Sequence, residues 1–231
     1  MRVPASLVAI VVALSGAAWS QPGSIQWLIL LDDMQLRFIE TGRLRDVMRA
    51  INRDLVRPGD RCVVRCSGPS CTAGTDAPMM CEEFGDWRRA FGNGLTEEDQ
   101  LLARTEHRPR ELIYRADLAL TAADGLLREA SDGVPGIMLY VSDGYLVEAA
   151  ASERLSSLAE APAAKGVRVF PIRFKRVDYN PRRNPTITAE PWAALMTETL
   201  GSLGSLAEVT GGVIVTDPLE GGLARIKDRV Q

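Results

Sequence analysis

Histidine and lysine are nearly missing from this 231-residue chain, which has one histidine, His107, and three lysines, Lys165, Lys175 and Lys227. A single histidine excludes a His-Glu-x-x-His zinc protease, and without Gly-Lys-Ser/Thr there is no phosphate-cradling P-loop. No Gly-x-Ser-x-Gly nucleophile elbow occurs either. An excess of positive charge is also lacking. The 27 Lys+Arg stand against 30 Asp+Glu, for a net charge of -3, and no long basic run forms the footprint that nucleic acid requires. Beyond residue 20 no apolar run is long enough to span a bilayer.

The first twenty residues read as a secretory leader. Arg2 supplies the positive start, Leu7 to Leu14 the apolar core, and Ala18-Trp19-Ser20 a small-x-small cleavage site. The reading is therefore a signal peptide over 1–20 and one domain over 21–231, exported to the periplasm or beyond, with no membrane span after cleavage. Ser15, Gly16 and Ser20 interrupt the apolar stretch too soon for a transmembrane helix. Hydrophobic residues make up 46% of the chain, enough for one generous core.

Four cysteines, Cys62, Cys66, Cys71 and Cys81, suit an oxidising compartment. If Arg61 to Cys66 is a strand, Cys62 and Cys66 lie about 13 Å apart at roughly 3.3 Å per residue, too far to bridge. Two pairings survive: 66–71 with 62–81, or 66–81 with 62–71. The spacing lacks paired Cys-x2-Cys knuckles, so a structural staple is expected rather than zinc.

Two apolar runs end on acids: Trp27-Leu28-Ile29-Leu30-Leu31-Asp32-Asp33 and Gly136-Ile137-Met138-Leu139-Tyr140-Val141-Ser142-Asp143-Gly144. Unbroken apolar runs of this length suit strands buried on both faces of a parallel sheet, whose carboxyl ends carry the ligand crevice. Arg37 to Val56 has one apolar helical face, and Arg57-Pro58-Gly59-Asp60 stops it before a second strand, Cys62 to Cys66. A β-α-β unit of this kind implies parallel strands and a right-handed crossover.

Helices are expected from Thr96, over Leu112 to Ala130 and over Leu146 to Ala164. A strand begins at Val167, with Pro171 placing its end at an edge or off the ladder. A polar excursion from Lys175 to Pro191, carrying Tyr179, Arg182 and Arg183, is either a contact surface or a floppy insert. The chain closes with a helix to Val209, a strand from Val213 to Thr216 and a last helix from Pro218.

In this order, the acid-ended first strand, Pro-Gly-Asp-Arg before the second, Ser142-Asp143-Gly144, Lys165-Gly166-Val167-Arg168-Val169 and Leu206-Ala207-Glu208-Val209-Thr210-Gly211-Gly212 resemble a von Willebrand factor type A domain over about Ile25 to Val230. The form Leu-Leu-Asp-Asp is most similar to exported bacterial members. The resemblance implies an α/β fold, a doubly wound and mostly parallel sheet with helices on both faces in three layers. It also implies a metal-ion-dependent adhesion site built from Asp-x-Ser-x-Ser, a distant Thr and a Thr/Ser-Asp-Gly. Here Asp32 and Asp143 occupy the first and last ligand positions, but Met34 and Leu36 replace the serines and Tyr114 falls near the threonine.

A thioether and an alkyl group do not serve Mg²⁺, a hard ion that takes about six oxygens. Asp33 could add an oxygen, although strand alternation directs it away from Asp32. The implied site is degenerate, so no cofactor is expected. The resulting expectation is a non-enzymatic protein-binding module, its partner an unidentified protein and its binding face Asp32, Asp33, Met34, Leu36, Tyr114 and Asp143. Mg²⁺-dependent binding through Asp32 and Asp143 is the alternative. A phosphatase using Asp32 is less favoured, because the Asp-x-Asp nucleophile pair fails at Met34. The plainest expectation for both acids is as turn formers and acceptors of backbone N–H groups.

Overall fold

A computed structural model describes residues 24–69, 94–105, 109–145, 165–174, 179–182, 185–216 and 219–230, with isolated positions at 81, 92, 154, 157–158 and 160–162. The leader over 1–20 and most of the helix expected over Leu146 to Ala164 lie outside the described residues. Among the described residues, ten elements follow in chain order. They are β1 (Gln26–Leu31), a 3-10 turn (Phe38–Glu40), α1 (Thr41–Asp54), β2 (Arg61–Cys66), α2 (Glu97–Thr105), α3 (Pro109–Arg128), β3 (Gly136–Val141), β4 (Val167–Ile172), α4 (Ala189–Thr210) and α5 (Leu219–Val230).

The four strands form one parallel sheet in the order β2-β1-β3-β4. Every residue of β1 and β3 is buried, because helices cover both faces and leave no side of these central strands to water. Alternation then divides the strand residues between two cores. Trp27, Ile29 and Leu31 pack with Leu44, Val47 and Ile51 of α1 and Ile226 of α5. Leu28 and Leu30 pack with Ala119, Leu120, Ala123 and Leu127 of α3 and Leu203 and Leu206 of α4. The result is an α/β three-layer sandwich.

At the amino end of the sheet, Asp60 ties the β2 turn to β1. Its carboxylate accepts from the Ile25 and Arg57 amides and from Trp27 Nε1, each at 2.9 Å. Cys62, beside it, is bonded to Cys81, and Cys66 is disulfide-bonded as well. Of the two pairings left open by the sequence, the structure holds the one that contains 62–81.

The last expected strand, Val213 to Thr216, reduces to a single parallel bridge between Ile172 and Val215. Val215 N–H donates to the Pro171 carbonyl and Arg173 N–H to the Val215 carbonyl, both at 2.8 Å. Pro171 has no N–H to extend that ladder, so pairing stops there. The excursion from Lys175 is anchored at its described positions. Tyr179 OH donates to the Ile187 carbonyl at 2.9 Å, and Ile187 is buried in a small cluster with Trp192, Leu195 and Met196.

Candidate functional site

All four strands run in parallel, so their carboxyl ends meet along one edge, and the first two residues after each strand make a polar cluster there. These residues are Asp32 and Asp33 after β1, Ser67 and Gly68 after β2, Ser142 and Asp143 after β3, and Arg173 and Phe174 after β4. Asp32, Asp33, Ser142, Asp143 and Arg173 are buried.

Asp32 is the centre of the cluster. Its Oδ1 accepts from Ser67 Oγ at 2.8 Å, and its Oδ2 accepts from Ser142 Oγ at 2.7 Å and Tyr140 OH at 3.4 Å. Burial pushes its pKa from 3.8 up to about 7; the hydrogen bonds from Ser142 and Ser67 oppose this, and the charges of Asp33 and Asp143 add to it. Burial, reinforced by the Asp32 charge, likewise holds the Tyr140 phenol well above its ordinary range.

Asp33 does not point away from Asp32 as strand alternation suggests. Its Oδ1 accepts from the same Ser67 hydroxyl at 3.1 Å and from the Gly68 amide at 2.5 Å. The period-two rule ends with the ladder, and the chain turns immediately, with the Gln35 and Leu36 amides donating to the Asp32 carbonyl at 3.0 and 2.9 Å. Asp143 Oδ1 accepts from the Phe174 amide at 3.2 Å, which links the ends of β3 and β4. Gly144 sets that turn at φ +83°, and a Cβ placed there would lie 2.2 Å from the Thr199 carbonyl oxygen of α4.

Met34 and Leu36 are buried beneath the loop. Tyr114 is 58% exposed on α3, while its neighbour Arg115 donates from Nη1 to the Met34 carbonyl at 2.8 Å. The loop therefore meets α3 one residue away from the position read by alignment.

Sequence reasoning did not find the hydroxyls that bind Asp32. They come from Ser67 and Ser142, the first residues beyond β2 and β3, and their position after apolar strands is the signal. It also missed a charged clamp beside the loop. Arg37 donates to Glu40 through Nε at 3.1 Å and Nη2 at 2.8 Å, and to Glu97 at the start of α2 through Nη1 at 3.0 Å. Burial and the Asp143 charge raise the Glu40 pKa, opposed by Arg37. The clamp fixes the 3-10 turn whose next two side chains, Phe38 at 71% and Ile39 at 78%, stand in solvent.

Part of the oxygen set that the resemblance implies for a Mg²⁺ ion is missing. Both Asp32 oxygens already accept protein hydroxyls, Met34 and Leu36 supply no oxygen, and among the described residues no group of three or more His, Cys, Asp or Glu side chains could hold a metal. No helix among the described residues is long and apolar enough to cross a membrane. No protein-family model matches the chain, and no curated protein matches it.

Proposed function

We propose that this chain is a non-enzymatic docking module of the exported bacterial von Willebrand factor A type, which holds a protein partner at the carboxyl edge of its sheet without a metal ion. The observation that supports it most directly is the pair Phe38 and Ile39. Two large apolar side chains stay in water on a turn that half-buried Arg37, paired with the buried Glu40 and Glu97, holds in place. A rigidly displayed apolar pair gains by being covered, and such exposure on an otherwise well-packed edge is the mark of an interaction surface. Tyr114 on α3 is also exposed.

The carboxylates beside it have a supporting role. Asp32 and Asp33 hold the loop through Ser67, and Asp143 holds β3 to β4, which keeps the displayed turn in one geometry. Export is supported by the leader read at residues 1–20 and by the Cys62–Cys81 disulfide.

The test is capture from an envelope extract by the immobilised chain in EDTA, alongside a Phe38→Asp/Ile39→Asp variant. The expected result is a captured protein that the variant loses at unchanged melting temperature. Capture that requires Mg²⁺, or hydrolytic turnover abolished by Asp32→Ala with the fold intact, would replace this reading with the metal-dependent or the enzymatic one.

A further inference from the structure

Among the described residues, Arg173 is the buried cation at the carboxyl edge that the docking reading leaves without a role. It is fully buried at 0% exposure. Its Nη2 donates to Thr199 Oγ1 at 2.8 Å and lies 3.2 Å from Met196 Sδ, while Nε and Nη1 meet no acceptor among the described residues. Burial lowers its pKa, opposed by the charges of Asp143 and Glu97, and neither carboxylate supplies an acceptor to Nε or Nη1. Two orphaned donors on a buried guanidinium are an unfavourable arrangement unless an anion completes them.

Met196 separates this guanidinium from an open groove of about 310 Å³ on α4. Trp192, Tyr179, Ala193 and Leu200 line the groove with Met196. The Tyr179 and Trp192 rings lie 6.3 Å apart at 54°, and the Tyr179 hydroxyl is held by the Ile187 carbonyl, so two aromatic walls are fixed in advance. Met196 also lines the groove, and methionine is the side chain best able to change rotamer and let a head group pass. Apolar walls with a few placed polar groups are the ordinary construction of a small-molecule site, and here the charged group lies behind Met196.

We infer that this groove binds a small monocarboxylic acid with an apolar or aromatic body, which lies against Trp192 and Tyr179 while its carboxylate accepts hydrogen bonds from Arg173 past Met196. Charge selects the head group. With Asp143 already in the field of the guanidinium, a monoanion adds one negative charge to this buried site and a phosphate dianion adds two, so the smaller charge is favoured. The inference stands apart from the docking reading, since it uses neither Phe38 nor Ile39.

Titration of phenylacetate into the full chain, followed by tryptophan fluorescence and melting temperature, provides the test, with phenylacetamide and inorganic phosphate in parallel. Phenylacetate is expected to give saturable quenching and a rising melting temperature, and the other two neither. Arg173→Met should weaken the acid on the order of tenfold or more, the scale of a lost charge-assisted hydrogen bond. Ala193→Trp, at an exposed groove position, should block binding while leaving the fold intact, and it decides the matter if the arginine variant does not fold. Equal binding of the amide or of phosphate, binding indifferent to Ala193→Trp, or no saturable response to phenylacetate overturns the inference.

Discussion

Asp32 gives the account its most demanding test through Asp32→Asn, which fixes the side chain in an uncharged form. The carboxyl is fully enclosed, and its pKa rises from 3.8 to about 7 on folding, first through burial. The folded protein therefore holds this proton more tightly than the unfolded chain does. The stability it contributes is complete below about pH 4 and is lost as pH rises towards 7, at up to about 1.4 kcal/mol per pH unit and on the order of 4 kcal/mol in all. Glu40, raised by burial and by Asp143, adds a slope of the same sign.

Chemical denaturation from pH 4.5 to 8, with the denaturant slope checked for constancy, measures this directly. The wild-type chain is expected to lose stability across that range. The asparagine variant should lose much less, because an amide does not titrate in this range, and the Ser67 and Ser142 hydroxyls can turn to meet it. At pH 8 the variant should be the more stable of the two, and at pH 4.5 the difference should shrink to about 1 kcal/mol, the worth of one altered hydrogen bond. Wild-type stability that stays flat or rises from pH 5 to 8, or a variant with the wild-type slope, would refute the burial of an ionisable Asp32.

Two further predictions concern the frame around it. Gly144→Ala should cost about 3 kcal/mol in denaturant unfolding, from a positive φ and a Cβ 2.2 Å from the Thr199 oxygen; a loss under 1 kcal/mol would show that α4 yields there. Removing the 62–81 disulfide with Cys62→Ser/Cys81→Ser should lower stability by about 3 kcal/mol, given a sequence separation of 19. An unchanged denaturation midpoint would mean that the bond constrains nothing in the unfolded chain.

The sheet was legible because its central strands are apolar without interruption. Gln26–Leu31 and Gly136–Val141 read as buried on both sides, and the acids that end them lie at the carboxyl edge. Legibility fades where tertiary contact overrides local pattern. Asp33 follows strand alternation only while there is a strand, and the turn after Asp32 brings it back to Ser67. The pairing of Arg37 with Glu97 joins positions sixty residues apart and has no local signature. Arg173 follows an apolar run ending at Ile172, and nothing in its neighbours announces that the guanidinium is enclosed. Pro171, by contrast, carried its meaning in one residue: a missing N–H that limits the next strand to a bridge.

The central claim is that the carboxyl edge, where Asp32 and Asp33 are held by the protein's own hydroxyls and the Gly68 amide, requires no metal. Thermal melting in EDTA and in millimolar Mg²⁺ or Mn²⁺ tests it most directly. The account predicts one melting temperature in all three conditions; a melting temperature that climbs with added Mg²⁺ or Mn²⁺ and falls back in EDTA would contradict it.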